Sequence, residues 1–521
     1  MGKSKKKNTK DVARPFQVMC TDIYLLWILI VFPLYYADGY FHLPEKKSIF
    51  WCTSTLIYLG VILFGVIITA FSMCGHWSFE NFKKNITMTD VFMLGFLVCN
   101  LIALAISDDK LNSWTGQSSR YYGAKVLILV CLVYFAVSRY GWLNKVFINA
   151  FLIGGNGVCL LATLDYFGRD VLGINQQMQQ WDWLIFISTM GNANTCASYV
   201  CIAIAGALAY FCVAEGRKIK IFVGISIVNC GAALITARSD SAFLGIAILI
   251  IVLGVLALMK KIEWKDYILA LGLLALGFLI LFLLRKKFVD YLVLETFDSG
   301  FPKALNQPVL LAVIFVVLQV VYLVILLMEK KNVKFEKKTE HIFLIGIGLL
   351  IILGTMILIQ KFGMLQILKQ GMGSSENLAP GSRSYTYQRV LQVYGQLPLH
   401  NKLFGCGQAS MTSVLYRYFG DELSAAGISI NSAHNNVLDY MIIVGFCGVV
   451  CYMGAFICTV KHTFQNLKEG KHGLVYGLIV IAYFAQGIFN IDQTTTTTIF
   501  WLMMACSEGV YRQSVVKKVY K

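Results

Sequence analysis

Apolar stretches long enough to cross a bilayer recur along almost the whole 521-residue chain, and no other feature limits its fold so tightly. A spanning helix needs about 20 mostly apolar residues. Fourteen candidate segments meet that requirement, centred near residues 30, 61, 98, 130, 153, 205, 228, 250, 275, 318, 350, 446, 481 and 503. Only 14% of residues are charged and 57% are hydrophobic, a balance that suits lipid rather than water as the solvent. Backbone polar groups in lipid must be satisfied within the chain, so such segments are expected to be helices. The expected fold is an all-α polytopic membrane protein with about 14 transmembrane helices and no room for a large soluble domain.

Basic residues give this chain a direction. With the N-terminus inside, 28 of the 45 Lys and Arg residues fall on inner segments, although the three longest loops are on the other side. Positive charge is retained on the cytoplasmic side, so a cytoplasmic (plasma) membrane location with both termini cytoplasmic is expected. The net charge of +17 then reads as a topological signal plus attraction to anionic membrane lipids, with no nucleic-acid partner. Residues 1–20 read as a basic cytoplasmic tail that includes Lys3, Lys5, Lys6, Lys7 and Lys10. Spans 1–11 fill 21–360, a long outer-face loop occupies 361–433, spans 12–14 occupy 434–511, and 512–521 forms a second basic tail. No cleavable signal peptide is evident, because the first apolar run starts after residue 20 and leads into further spans. The fifteen cysteines are scattered through the spans without a CxxC pair or a disulfide framework.

The 361–433 loop is too long for a structureless connection. Within it, Ser384 to Gln396 carries Tyr387, Val390, Leu391 and Tyr394 at helical spacing, punctuated afterwards by Pro398 and Gly405-Cys406-Gly407. This pattern predicts an amphipathic helix on the membrane rim. Arg383 lies four residues before Tyr387 and seven before Val390, which puts it on the inward stripe, whereas Arg389 points elsewhere. The acidic pairs Asp108-Asp109 and Asp421-Glu422 read as solvated loop charges.

Two residues stand out chemically. Arg238 lies in a very short turn between strongly apolar spans, where little water can solvate a guanidinium. It either snorkels or pairs with Asp240, or it forms an anion site, since its planar fork suits bidentate phosphate contacts. His76, His341, His462 and His472 fall on the cytoplasmic side of this topology, leaving His42, His400 and His434 outside. Of these, His434 alone stands at the mouth of a helix, with Gly445 and Gly448 beyond it for close packing. It reads either as a surface or capping histidine or as a proton acceptor near neutral pH.

Four features occur in order: Gly191-Asn-Ala-Asn194 with Ala197-Ser-Tyr199, the Thr-Ala-Arg238-Ser turn, Arg383 ahead of Pro398 and Gly405-x-Gly407, and Ala433-His434-Asn435 before a Gly-containing span. Together, over residues 185 to 505, they resemble the O-antigen ligase and O-antigen polymerase superfamily of membrane glycosyltransferases. Two departures are Thr386, where an aromatic often follows the arginine, and Ser-Asp-Ser rather than a Gly-containing turn after Arg238. The resemblance implies a GT-C-like scaffold that transfers glycan from an undecaprenyl-diphosphate-linked donor to a glycan or lipid-linked acceptor on the outer face. It implies catalysis by His434, diphosphate binding by Arg238 and Arg383, and support from Asn192, Asn194, Asn435 and Arg389, with no metal or other cofactor. Fourteen spans fit the polymerase layout better than the ligase layout. A flippase for the same lipid-linked glycans is the alternative, although transporter sites lie near the membrane midplane, whereas these charges cluster at the rim.

Overall fold

A computed structural model of the chain describes residues 15–72, 86–117, 119–179, 182–184, 186–293, 307–331, 380–465, 467 and 471–519. Among these the architecture is helical, with one two-residue antiparallel pairing of Phe186–Ile187 with Gly191–Asn192. The helices are α1 (Phe16–Leu34), α2 (Gly39–Ser72), α3 (Met88–Ile106), α4 (Lys110–Thr115), α5 (Ala124–Tyr140) and α6 (Lys145–Tyr166). They continue as α7 (Ala193–Val213), α8 (Arg217–Thr236), α9 (Asp240–Leu258), α10 (Trp264–Lys287) and α11 (Pro308–Lys330). After the undescribed stretch come α12 (Arg383–Gln396), α13 (Leu399–Phe404), α14 (Met411–Ala425), α15 (Asn436–Ile443), α16 (Gly445–Gln465), α17 (Lys471–Gly487) and α18 (Thr494–Val519).

Ten of these are long and apolar enough to cross a membrane: α1, α2, α3, α6 to α11 and α16. The chain is therefore a helical, multi-pass membrane protein. Helices α5, α17 and α18 lie over three further expected centres, near 130, 481 and 503. The expected span near 350 lies outside the described residues, as do 1–14 and 361–379. The helix expected around residue 446 instead begins at Gly445, because the chain breaks there with φ at +68° and the preceding residues form the separate α15. Residues 512–519 continue α18, and α1 begins at Phe16.

Helix α7 is the axis of the bundle. Its whole span is buried, and it is packed by α6, α8, α9 and α17. Ala197, Ser198, Ala203, Ala205, Gly206, Ala207 and Ala209 let those neighbours approach closely, which is how helices associate where lipid removes the hydrophobic drive between them. At the opposite extreme, Leu311 is the buried residue of α11, and Val309, Val313, Val316 and Leu323 stand exposed for lipid contact.

Polar side chains gather at the two ends of the bundle. At one end, the Asp90 carboxylate of α3 accepts hydrogen bonds from Tyr134 (3.1 Å) and Arg139 (3.2 Å) of α5 and from Arg512 of α18. His462 of α16 pairs there with Glu508 of α18 at 2.8 Å. At the other end, the described part of the 361–433 stretch folds as α12, α13 and α14 around their own core of Tyr385, Val390, Val393, Leu397, Val414, Leu415 and Leu423.

This small cap is tied to the bundle by backbone. The Cys406 and Gly407 amides donate to the carbonyls of Ile442 (2.8 Å) and Ile443 (3.1 Å) at the end of α15. Gly405 (φ +84°) and Gly445 (φ +68°) cross at this junction, and a Cβ on Gly405 would overlap the Ile443 carbonyl oxygen. With φ +84° and ψ −174°, Gly405 lies in a region that is essentially glycine-only, and a residue with a β-carbon held there pays of order 1–3 kcal/mol. Gly405→Ala is therefore expected to lower the thermal midpoint of the purified protein and to speed labelling of half-buried Cys406 by a water-soluble maleimide. Unchanged melting and labelling would show that this crossing does not hold the cap.

Candidate functional site

Connections 116–123, 426–435 and 488–493 come together beneath the cap: Arg120 bonds the Asn431 carbonyl, Thr494 bonds the Tyr121 carbonyl, and Tyr387 of α12 reaches the carbonyls of His434 and Ile488. Asn490 ties the last of them to three helices. Its side-chain amide lies within hydrogen-bonding distance of the Asn194 carbonyl (3.3 Å), Ser198 Oγ (2.8 Å), Ser241 Oγ (3.0 Å) and Gln486 Oε1 (3.0 Å). The start of α7, the start of α9 and the end of α17 are thereby held together. Two residues on, the Asp492 carboxylate accepts from Asn436 Nδ2 (2.7 Å), Tyr440 (2.7 Å), Tyr483 (3.1 Å) and Thr497 (3.1 Å). Burial pushes its carboxyl up to about 6, against these donors, which favour the charged form.

His434 stands just before α15, and its backbone is built from below. Asp439 accepts from Ser432 Oγ (2.6 Å) and from the Ala433 amide (2.7 Å), and Ser432 Oγ in turn accepts the His434 amide at 2.9 Å. Arg120 holds the other side of the loop through the Asn431 carbonyl (3.2 Å) and side chain. The result is φ of +53° at His434, a left-handed conformation that a β-carbon resists. Strain held by such a network is found at sites that must present a side chain in one direction. Among the described residues, neither ring nitrogen has a hydrogen-bond partner.

The electrostatic setting follows from burial and two cations. The His434 imidazole is pushed down to about 4, first by burial and then by Arg383 and Arg120. It is therefore neutral at physiological pH. Arg383, at the first turn of α12, is exposed and available to an anion in solvent. Tyr387, one turn along α12, makes long contacts to the carbonyls of His434 (3.4 Å) and Ile488 (3.5 Å) and so brings α12 over the loop.

The remaining expected residues fall differently. Arg238 is half-buried in a left-handed turn (φ +52°). It lies within electrostatic reach of Tyr166, whose ring also carries the Arg285 guanidinium at 5.8 Å. Three residues on, Ser241 bonds Asn490 at 3.0 Å, whereas the cations that act on the His434 imidazole are Arg383 and Arg120 rather than Arg238. Asn192 and Asn435 are helix caps: the side-chain oxygen of Asn192 accepts the Asn194 amide, and that of Asn435 accepts the amides of Val437 and Leu438. Asn194 takes part through its carbonyl. The predicted inward stripe on α12 is turned by about one residue. Thr386, Val390, Val393 and Leu397 are buried and Leu391 is 51% exposed, because the cap core lies on that side. Arg383 accordingly faces out, and Arg389 faces the protein, bonded to Glu422 (2.5 Å) and over the rings of Tyr385 and Phe419. Glu422 and Asp108 are ion-pair partners rather than merely solvated, Asp108 with Arg417 at 2.5 Å.

Arg120, Asp439, Asn490 and Asp492 were not singled out from the sequence. A signal existed for the last two: Asn490-Ile-Asp-Gln493 ahead of Thr494 to Thr498 is a polar run between two apolar stretches, which membrane segments carry where polar groups have a task. Among the described residues, no three His, Cys, Asp or Glu side chains come together as a metal site. No protein-family model and no curated protein matches the chain.

Two measurements follow from this geometry. In an NMR titration of the folded protein, with the His434 signal assigned by its loss in His434→Ala, the imidazole should protonate near pH 4, and higher in Arg383→Gln. An unfolded histidine takes its proton at about 6.5, so this group's contribution to stability is complete above 6.5 and is lost as pH falls from there through 4. A native midpoint near 6.5 would contradict the burial and charge placement. Because glycine tolerates φ of +53°, His434→Gly should be more stable than His434→Ala by about 1 kcal/mol, and equal denaturation midpoints would remove the strain argument.

Proposed function

We propose that the chain is a membrane glycosyltransferase of the O-antigen polymerase or ligase kind. It transfers or polymerises glycan carried on undecaprenyl diphosphate at the outer face of the cytoplasmic membrane. The observation that carries this reading is the pairing of a neutral, conformationally held imidazole at His434 with the exposed guanidinium of Arg383. An inverting transfer requires both groups. The acceptor hydroxyl oxygen forms a bond to the anomeric carbon of the donor sugar as the bond from that carbon to the diphosphate oxygen breaks. The hydroxyl proton passes to His434, and the diphosphate departs as an anion toward Arg383, with Arg238 a second cation on the donor side.

Magnitudes divide the work. A positioned general base contributes roughly 10² to 10⁴ in rate, so stabilising the departing charge must supply much of the remainder. A base held near pH 4 is a weak one, and the donor itself relieves part of this. Diphosphate beside Arg383 offsets part of the cationic field at the imidazole and raises its basicity only when substrate is present. The larger effect, burial, persists. The scheme needs no metal or other cofactor. Fourteen spans and cytoplasmic termini remain the proposed topology, and they place His434 and Arg383 outside; polymerase is preferred over ligase on span number.

With purified protein, lipid-linked donor and acceptor, the wild type should form a new glycosidic bond, and EDTA should leave the rate unchanged. His434→Ala should lower turnover by 10² or more while inserting and folding normally. Lysine lacks the planar fork, so Arg238→Lys and Arg383→Lys should lose most turnover yet retain donor binding. Normal transfer by His434→Ala removes the proposed base. Movement of donor across vesicles without bond formation replaces this reading with a flippase.

A further inference from the structure

The site just described has a neighbour. A cleft of about 670 Å³ runs between α4, the 397–401 segment and the face of α14, within the roughly 300–1,000 Å³ range of small-ligand sites. Gln117 and Ala409 line both this cleft and a smaller cavity of about 40 Å³ that is walled by Arg120, Asn431, Asp439 and Asp492. The cleft thus adjoins, across Gln117 and Ala409, the small cavity beside the polar groups that hold the His434 loop.

Its lining suits a ligand rich in hydroxyl groups. Asn112 and Asn401 each give one amide hydrogen to the protein, to Asp109 (2.6 Å) and to the Gly405 carbonyl (2.9 Å), and keep an amide oxygen and a second hydrogen for the walls; Ser413 donates to the Ser410 carbonyl and retains acceptor capacity. Tyr416 adds a ring that is 38% exposed, its hydroxyl tied to the Ile428 carbonyl at 3.3 Å. A sugar hydroxyl both donates and accepts, and the C–H face of a pyranose lies flat on such a ring. Gln408 provides an independent observation. It is 1% exposed, its amide nitrogen donates to Asn100 at 2.8 Å, and its amide oxygen has no hydrogen-bond partner among the described residues. A buried polar atom without a partner is costly to leave unsatisfied, and here it belongs to a residue lining a cleft. Charge narrows the class. Arg417 neutralises Asp108, whereas Asp109 keeps its negative charge at the start of α4, bonded to the Asn112 amide at 3.0 Å. A glycan of uronic or sialic acids would be repelled by that carboxylate, and neutral or amino sugars would not.

We infer that this cleft binds the acceptor glycan, as an oligosaccharide of neutral or amino sugars lying across Tyr416 with its reacting end directed past Ala409 toward the His434 loop. The inference rests on the glycosyltransferase reading for the ligand's role, and its test is kept separate from that reading. Purified full-length protein in nanodiscs would be probed by saturation-transfer NMR with maltotetraose, chitotetraose and tetragalacturonate, none of which carries a lipid or diphosphate. The two uncharged probes should bind and tetragalacturonate should not. Asn112→Ala with Asn401→Ala should weaken that binding at least fivefold, and Ser413→Trp, an exposed position where folding is undisturbed, should block it. Binding of the lipid-linked donor should be unchanged in all of these variants, and their products should be shorter. Uncharged-probe binding that ignores these substitutions, or stronger binding of tetragalacturonate, overturns the inference. Cleft-dependent binding in a protein that forms no glycosidic bond sustains the cleft as a glycan site and defeats the enzymatic reading instead.

Discussion

The site end of this protein depends on a carboxylate, Asp492, placed where apolar helices converge and satisfied by four donors from α15, α17 and α18. An unpaired carboxylate in such surroundings is expensive, and removing one hydrogen-bond partner from a buried group typically costs about 1–3 kcal/mol, more for a charged one. The network therefore tolerates one arrangement of these three helices. Asn490, two residues earlier, extends the same restriction to α7 and α9. Lipid supplies no alternative partners, so the connections at this end are held in one geometry by their own hydrogen bonds.

That rigidity is what gives the His434 loop its form. Asp439 and Ser432 hold the backbone from one side and Arg120 from the other. The strained residue at the apex then presents an imidazole that burial and two cations keep unprotonated. Positioning and proton affinity come from the same groups. Arg120 draws in the loop and also depresses the imidazole, so the two properties cannot be tuned independently by altering that one side chain.

The cap of α12 to α14 adds a surface that the membrane helices could not. Its core is small, and it is joined to the bundle by the backbone pairing of 406–407 with the end of α15, where two glycines cross. Resting there, the cap places Arg383 beside His434 on one side and walls the polar cleft over α4 on the other. Both features are products of a segment whose local sequence shows an amphipathic helix and little else.

Hydropathy alone determined that the chain is a helical membrane protein, because about 20 apolar residues in lipid have one stable backbone solution. It also marked His434 and Arg238, since a charged or titratable group at the edge of an apolar span is conspicuous, whereas Arg383 was picked out by helical spacing in the 361–433 loop, on a face that the structure turns outward. Facing was harder to read. The stripe on α12 was off by one residue because Tyr387, Leu391 and Tyr394 satisfy helical spacing as well as Thr386, Val390, Val393 and Leu397 do, and only the position of the cap core decides between them. Arg120, Asp439 and the Asn490–Asp492 segment come from three separate stretches of chain, and no local pattern says that they meet. Their side-chain hydrogen bonds span up to 311 residues of chain, as between Arg120 and Asn431. Contacts of that separation are made by helix packing, and only the tertiary structure decided them.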